Sequence, residues 1–345
     1  MITSYIPSRL IDWQKKAGRH NLPWQNTGDA YLVWISEVML QQTQVKTVIP
    51  YFNKFIKTFP NINVLAEAHE DTVMQYWSGL GYYRRAKYLM QSAKIVVKQH
   101  HSILPNTVDE LVTLPGIGRS TAGAICALAY ERPEPILDAN VKRVFCRFYA
   151  IKDWAGESKT EAKLWDIAKK NLPLQEISTY TQALMDLGAT LCKIKQPSCL
   201  QCPLEKKCKS YKKNLVGMIP AKKISKAIPT RDSHLLILES KDHILLEKRL
   251  QPGVWEGLWS LPEVNKDCYA NERVEDLLGE SSFKKLREGL SLAIFSHYKM
   301  RLHFKHIYLK ELTNEKIEKK FRWFDKSLII HAALPAPVKK LLKNV

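Results

Sequence analysis

Leu114-Pro115-Gly116-Ile117-Gly118 leads directly into Arg119-Ser120-Thr121-Ala122-Gly123 and joins two helical segments through a tight turn. Glycines at 116 and 118 permit positive φ and let another group approach the backbone closely. They also leave N–H groups pointing outward where the next helix opens near Arg119, which makes the turn an anion site suited to a phosphate. Twenty residues beyond Gly118 stands Asp138, in Ile136-Leu137-Asp138-Ala139-Asn140-Val141. Its place just before a further helical stretch predicts an N-cap. A carboxylate at a helix N-terminus is expected to stay ionised, so capping and chemistry are compatible there.

Outward from this turn, residues 1–205 read as mostly helical. Apolar residues recur at helical spacing over Ala30–Met39, Thr43–Phe59, Arg84–Gln99, Ser120–Tyr130, Asn140–Ala150, Lys159–Asn171 and Thr179–Leu191. Asp29 is placed to cap the first of these. After Arg231 the pattern changes. His234–Glu239 and Ile244–Lys248 read as a hairpin, Ser291–Ser296 and Leu302–Leu309 as two more strands, and Arg273–Leu278 and Pro337–Leu342 as helices. The expected organisation is a helical region over 1–208, a basic linker over 209–231 and a small α/β domain over 232–345. A chain of 345 residues is long enough for two cores.

Net charge is +19, unevenly spread. Residues 206–231 alone carry nine Lys or Arg and no Asp or Glu. Such a segment suits a polyanion, or serves as a solvated tether, or both. The N-terminus has no apolar signal core, and no apolar run approaches the roughly 18 residues of a membrane span. A reducing, cytoplasmic setting is expected.

Cys192, Cys199, Cys202 and Cys208 follow a C-x6-C-x2-C-x5-C spacing. Four thiols so close together in a chain without a secretory signal point to a metal centre. A zinc ribbon uses two separated C-x2-C knuckles, which this is not, although a four-thiolate zinc site stays open on spacing alone. Cys126, Cys146 and Cys268 are scattered and read as packing residues.

The cysteine spacing resembles the C-terminal 4Fe–4S loop of the endonuclease III superfamily. Leu22-Pro23-Trp24, Ser36-Glu37-Val38-Met39-Leu40-Gln41-Gln42-Thr43, Gly79-Leu80-Gly81-Tyr82-Tyr83 and Met185-Asp186-Leu187-Gly188-Ala189 are similar to motifs of the adenine DNA glycosylases, the MutY family. The resemblance implies a helix-hairpin-helix six-helix barrel module and a 4Fe–4S helical module, then a Nudix-like domain. It implies removal of adenine mispaired with 8-oxoguanine or guanine in double-stranded DNA by a monomeric, bacterial nucleoid-associated enzyme.

The same resemblance assigns roles. Glu37 would protonate adenine, because its apolar helix raises its pKa and keeps it partly protonated. Ionised Asp138 would support the oxocarbenium-like sugar, the division of labour found in glycosidases. Asn140 would position a water or Glu37. The flipped base would enter a pocket of Trp24, Gln182 and Met185, with Gln42 and Tyr82 wedging the duplex beside Leu80. Gly116, Gly118 and Lys142 would contact phosphate. Enzymes of this superfamily that also cut the strand carry Lys where this chain has Ser120, so a monofunctional glycosylase is expected. An oxidised-pyrimidine glycosylase/lyase, a Nudix hydrolase and a non-enzymatic DNA binder are the rival classes.

Trp255-Glu256-Gly257-Leu258-Trp259 resembles the opening of a Nudix fold. Gly257, Glu263, Glu272, Glu275 and Asp276 fall in frame with the hydrolase box, but Asn271, Arg273 and Leu278 depart from it. A fold without hydrolase activity is expected, with Phe295, Ser296 and His297 resembling the family's 8-oxoguanine-sensing loop. Ala139 stands where many relatives have Gly.

Overall fold

A computed structural model describes residues 5–223, 227–264, 274, 275, 277, 283–295, 298–310 and 318–343. The chain forms two compact units, Met1–Ala66 with Gln91–Ser225, and Glu67–Met90 with Lys226–Val345.

The first unit is helical. Its elements are α1 (Tyr5–Ala17), α2 (Ala30–Leu40), α3 (Val45–Thr58), α4 (Ile62–Glu67, which runs to the unit's edge), then α7 (Val108–Leu111), α8 (Arg119–Tyr130), α9 (Ala139–Tyr149), α10 (Ser158–Lys170), α11 (Ile177–Thr190) and α12 (Lys209–Lys212). The α11 helix packs against α1, α8 and α9, and α2 packs against α3 and α8. Leu10, Ile136, Val141, Phe145, Tyr180, Leu184 and Leu187 meet in the resulting core. Wholly buried Phe145 alone stabilises this assembly by roughly 2–3 kcal/mol.

The linker expected over 209–231 is shorter than its charge suggested. Lys209–Lys212 is helical, Ile219 is buried in the helical core, and the Arg147 Nε donates to the Ile219 carbonyl at 2.9 Å. Hydrophobic and hydrogen-bonded anchors thus hold the first half of the basic stretch, while its lysines stay at the surface.

The second unit holds the sheet: β1 (Thr230–Ser240), β2 (His243–Lys248), β3 (Trp259–Ser260), β4 (Glu263–Val264), β5 (Phe283–Ile294), β6 (Lys299–Leu309) and β7 (Phe321–Asp325), closed by α13 (Ala336–Leu342). The strand order is β3-β2-β1-β6-β5, with β4 on β1 and β7 on β2. Strands β1 and β6 run parallel, and β5 and β6 antiparallel. Residues 235–240 of β1 are all buried or nearly so, as a central strand covered on both faces requires. Most of the helix expected over Arg273–Leu278 lies outside the described residues; Val274 and Leu277 join the core with Leu236, Leu238 and Ile307.

A stretch from the helical half of the sequence belongs to this unit. Helix α5 (Glu70–Trp77) and the start of α6 (Arg84–Gln99) are tied to it by ion pairs Asp71–Lys248 and Lys87–Glu256. The Ser78 hydroxyl donates to the Leu334 carbonyl at 2.8 Å. No single boundary near residue 209 separates the units, because 67–90 crosses it.

Candidate active site

Helix α2 has an apolar surface nearly all round, with Tyr31, Val33, Trp34, Ile35, Ser36, Val38 and Met39 buried. The Asp29 carboxylate accepts from the Tyr31 and Leu32 N–H groups and fixes the helix start. Glu37 is the single charged residue of the helix and is half-buried. Burial first, then the nearby charge of Asp138, pushes its carboxyl up to about 8.

In the turn, Gly116 takes a positive φ of 79°. Gly118 does not: its φ and ψ are −89° and 167°, and it N-caps α8 without a side-chain bond. A Cβ there would meet nothing within 4 Å, so neither backbone angle nor internal space demands glycine at this position. Ser120 Oγ accepts from the Leu137 N–H at 3.0 Å, tying α8 to the chain that delivers Asp138.

Asp138 N-caps α9, accepting from the Val141 N–H at 2.7 Å and from Asn140 Nδ2 at 3.2 Å. Burial still raises its carboxyl above the ordinary range, with those donors and Arg143 opposing the rise. The cap and the other donors oppose that rise without cancelling it. Hydrogen bonds from Val141 and Asn140 and the charge of Arg143 favour the ionised form of Asp138, whereas both influences on Glu37 favour its protonated form. Asn140 bonds Asp138 rather than Glu37, and its Oδ1 accepts from Arg143 Nη2 at 2.8 Å. Arg143 also donates to the carbonyls of Cys192 and Gly188, at 2.7 and 2.8 Å. Lys142 is paired with Glu161 at 2.9 Å.

A cavity of about 140 Å³ is lined by Trp24, Val33, Ser36, Arg19 and Gln182, among others. Trp24 meets Phe52 edge-on at 5.2 Å. Met185 is partly buried against the helical core and lies outside that lining. Gln42 is exposed with φ of 57°, a left-handed conformation that costs a side-chain-bearing residue about 1 kcal/mol or more. Tyr82 is 43% exposed with φ of 50°, between Arg85 and solvent, whereas Leu80 is buried at 6%.

The four cysteines stand close enough for their charges to act on one another. Burial, then its neighbours' charges, pushes the Cys202 thiol up to about 12 against an opposing backbone donor, and Cys199 and Cys208 are raised for the same reasons. Arg147 reaches the carbonyls of Cys192 and Lys193 and, at 3.4 Å, Cys192 Sγ. Clustered, partly buried thiols that resist ionising are a donor set that calls for cationic metal. No group of His, Cys, Asp and Glu that could hold a single metal ion is found among the described residues.

In the sheet unit, Phe295 stacks on Tyr298 at 4.9 Å and lies 6.4 Å from Trp255. Ser296 and His297 lie outside the described residues, as do Asn271, Glu272, Arg273, Asp276 and Leu278. Glu263 accepts from Ser233 Oγ and Arg249 Nη1, each at 2.6 Å. Sequence reasoning missed Arg143, Arg147 and Asp186. The available signal was their burial within amphipathic helices, where an unexplained charge demands partners.

Residues 35–170 match the HhH-GPD superfamily base excision DNA repair protein family, and residues 234–344 match the NUDIX domain. The chain is 38% identical over 353 residues to the adenine DNA glycosylase of Buchnera aphidicola subsp. Acyrthosiphon pisum, covering 99% of this chain and 98% of that one. It is 30% identical to the adenine DNA glycosylase of Mus musculus, covering 97% of this chain and 77% of that one. In fold it is similar to a thermostable thymine-DNA glycosylase, with a TM-score of 0.55 at 24% identity over 60% of this chain and 95% of that one. A trapped endonuclease III–DNA covalent intermediate gives 0.52 at 21% identity, over 61% and 96%.

Proposed function

The chain belongs to the adenine DNA glycosylase family, and from that premise we propose that Glu37 and Asp138 divide the hydrolysis of adenine's N-glycosidic bond between them. The observation that carries the proposal is the difference in their surroundings: both influences on Glu37 favour its proton, whereas hydrogen-bond donors and Arg143 favour the charge of Asp138. Glu37 holds its proton to about pH 8 and can donate it to a ring nitrogen of the leaving base. Asp138, with Val141, Asn140 and Arg143 turned toward it, holds negative charge beside the sugar as cationic character develops. The low-dielectric setting that raises Glu37 also strengthens the attraction between Asp138 and that cation.

The base leaves the duplex and enters the cavity lined by Trp24 and Gln182. Gln42 and Tyr82, exposed in left-handed conformations, support a wedging role. Gly116 and Gly118 present N–H groups to a phosphate. Lys142 contributes to phosphate binding only by releasing Glu161. Ser120 carries no amine and already binds the chain before Asp138, which supports excision without strand cleavage. Opposite the adenine, Phe295, Ser296 and His297 would read 8-oxoguanine.

Cys192, Cys199, Cys202 and Cys208 would hold a 4Fe–4S cluster. When bound, the cluster supplies positive charge to those thiolates and cross-links their loop. Arg143 and Arg147 join that loop to α9, whose first residue follows Asp138.

The test is a duplex with adenine opposite 8-oxoguanine, incubated with pure protein and divided, one portion treated with hot alkali. Cleavage only after alkali is the expected result. Cleavage without alkali would overturn the monofunctional reading, and cleavage in neither portion would overturn the substrate.

A further inference from the structure

Asp186 is completely buried, yet it touches nothing that reacts. Its two oxygens accept five hydrogen bonds. Oδ1 takes Arg19 Nε at 2.8 Å, Arg19 Nη2 at 2.5 Å and Gln182 Nε2 at 2.8 Å. Oδ2 takes the Arg19 N–H at 2.8 Å and Gln14 Nε2 at 3.1 Å. A carboxylate only accepts, so the Gln182 amide cannot turn its oxygen toward Asp186 without setting oxygen against oxygen in a buried site. The amide is locked with its NH₂ on Asp186.

The other end of the amide is then the one left for the cavity, which Gln182 lines together with Trp24, Ser36 and Arg19. That end is a hydrogen-bond acceptor. Adenine offers a donor at its exocyclic amino group; hypoxanthine and guanine carry a carbonyl acceptor at the same position. A site built around a fixed acceptor rejects a second acceptor because both are left unpaired.

We infer that Asp186 is a positioning residue that sets base selectivity, by dictating which end of the Gln182 amide faces the base. The inference rests on reading this cavity as the base pocket. Losing Asp186 frees the amide to rotate, and the site then accommodates either hydrogen-bond pattern. A residue that merely braces α11 against α1 would lower excision of every base alike.

The experiment compares single-turnover excision of adenine and of hypoxanthine, each opposite 8-oxoguanine, by wild type, Asp186→Ala, Gln182→Met and the double variant. The adenine-to-hypoxanthine ratio should fall about tenfold in Asp186→Ala, within the range a good base contact provides. Gln182→Met should fall similarly, and adding Asp186→Ala to it should change the ratio no further. Equal loss on both bases in Asp186→Ala, or a further fall in the double variant, would overturn the inference. Should Asp186→Ala not fold, an unchanged ratio in Gln182→Met overturns it by itself. Wild type failing on adenine would instead remove the pocket reading on which the inference stands.

Discussion

Glu37→Gln should make the protein more stable at high pH while destroying its activity. The carboxyl is lifted from 4.5 to about 8. Below pH 4.5 both folded and unfolded chains hold the proton, and the shift contributes nothing. Between 4.5 and 8 the unfolded chain releases the proton while the folded chain keeps it, so stability falls as pH rises, and the full penalty is present above 8. At about 1.4 kcal/mol per pH unit the ceiling is about 5 kcal/mol. Water reaching a half-buried side chain reduces this to about 2–3 kcal/mol. Glutamine has no proton to lose, so the variant escapes the penalty. With about 2–4 °C of melting temperature per kcal/mol, it should melt about 5–10 °C above wild type at pH 9 and level with it at pH 4.5. Circular dichroism melts at the two pH values read this directly. Excision should drop by about 10²–10⁴ in the variant, and wild-type excision should fall tenfold per pH unit above 8. An equal melting shift at both pH values, or wild-type excision unchanged from pH 7 to 9.5, would refute the buried-acid argument.

Gly188→Ala would put a Cβ 2.5 Å from the Asn140 Cβ and 3.2 Å from its Cα. Overpacking of that kind should cost about 2 kcal/mol, displace Asn140 from Asp138, and slow excision more than it weakens binding to an uncleavable duplex. Cys199→Ser should lose iron and duplex affinity, read by iron analysis and a salt-dependent binding titration, while the far-ultraviolet helical signal is retained; unchanged affinity in the iron-free protein would count against the loop as a DNA-contacting element. Asp138→Asn should keep the folding free energy within about 1 kcal/mol of wild type, since an Asn oxygen caps a helix as well as Asp does, yet excise nothing measurable; retained excision would remove Asp138 from the mechanism.

Much of this was legible in the sequence because it is local. Arg84–Gln99 and the hairpin of β1 and β2 follow from apolar periodicity and turn residues alone. Asp29 and Asp138 announce themselves as caps by preceding apolar helices. Periodicity missed α1, whose Pro7 and terminal lysines blur the pattern, and short α4, α5 and α7. What was not legible was non-local. Nothing in the neighbourhood of Asp71 or Lys87 foretells partners at Lys248 and Glu256. Arg143 and Arg147 spend their guanidinium groups on backbone carbonyls, which every residue possesses, so no side-chain pattern marks the destination. The raised pKa of Asp138 likewise depends on how deeply its neighbours enclose it, which spacing along the chain does not encode.

The residue that caps α9 has a consequence at the level of the gene. Aspartate and asparagine codons differ by one transition in the first base. Many substitutions that inactivate an enzyme do so by lowering its stability, and cellular proteases then reduce its abundance. At position 138 the fold should accept the replacement, because an Asn oxygen can keep the helix cap. The product of such an allele would persist at full abundance, still occupying mispairs and shielding them from functional copies. A strain carrying both alleles should therefore accumulate more mutations than one with a single intact copy and no second allele, and a simple fluctuation assay would decide it.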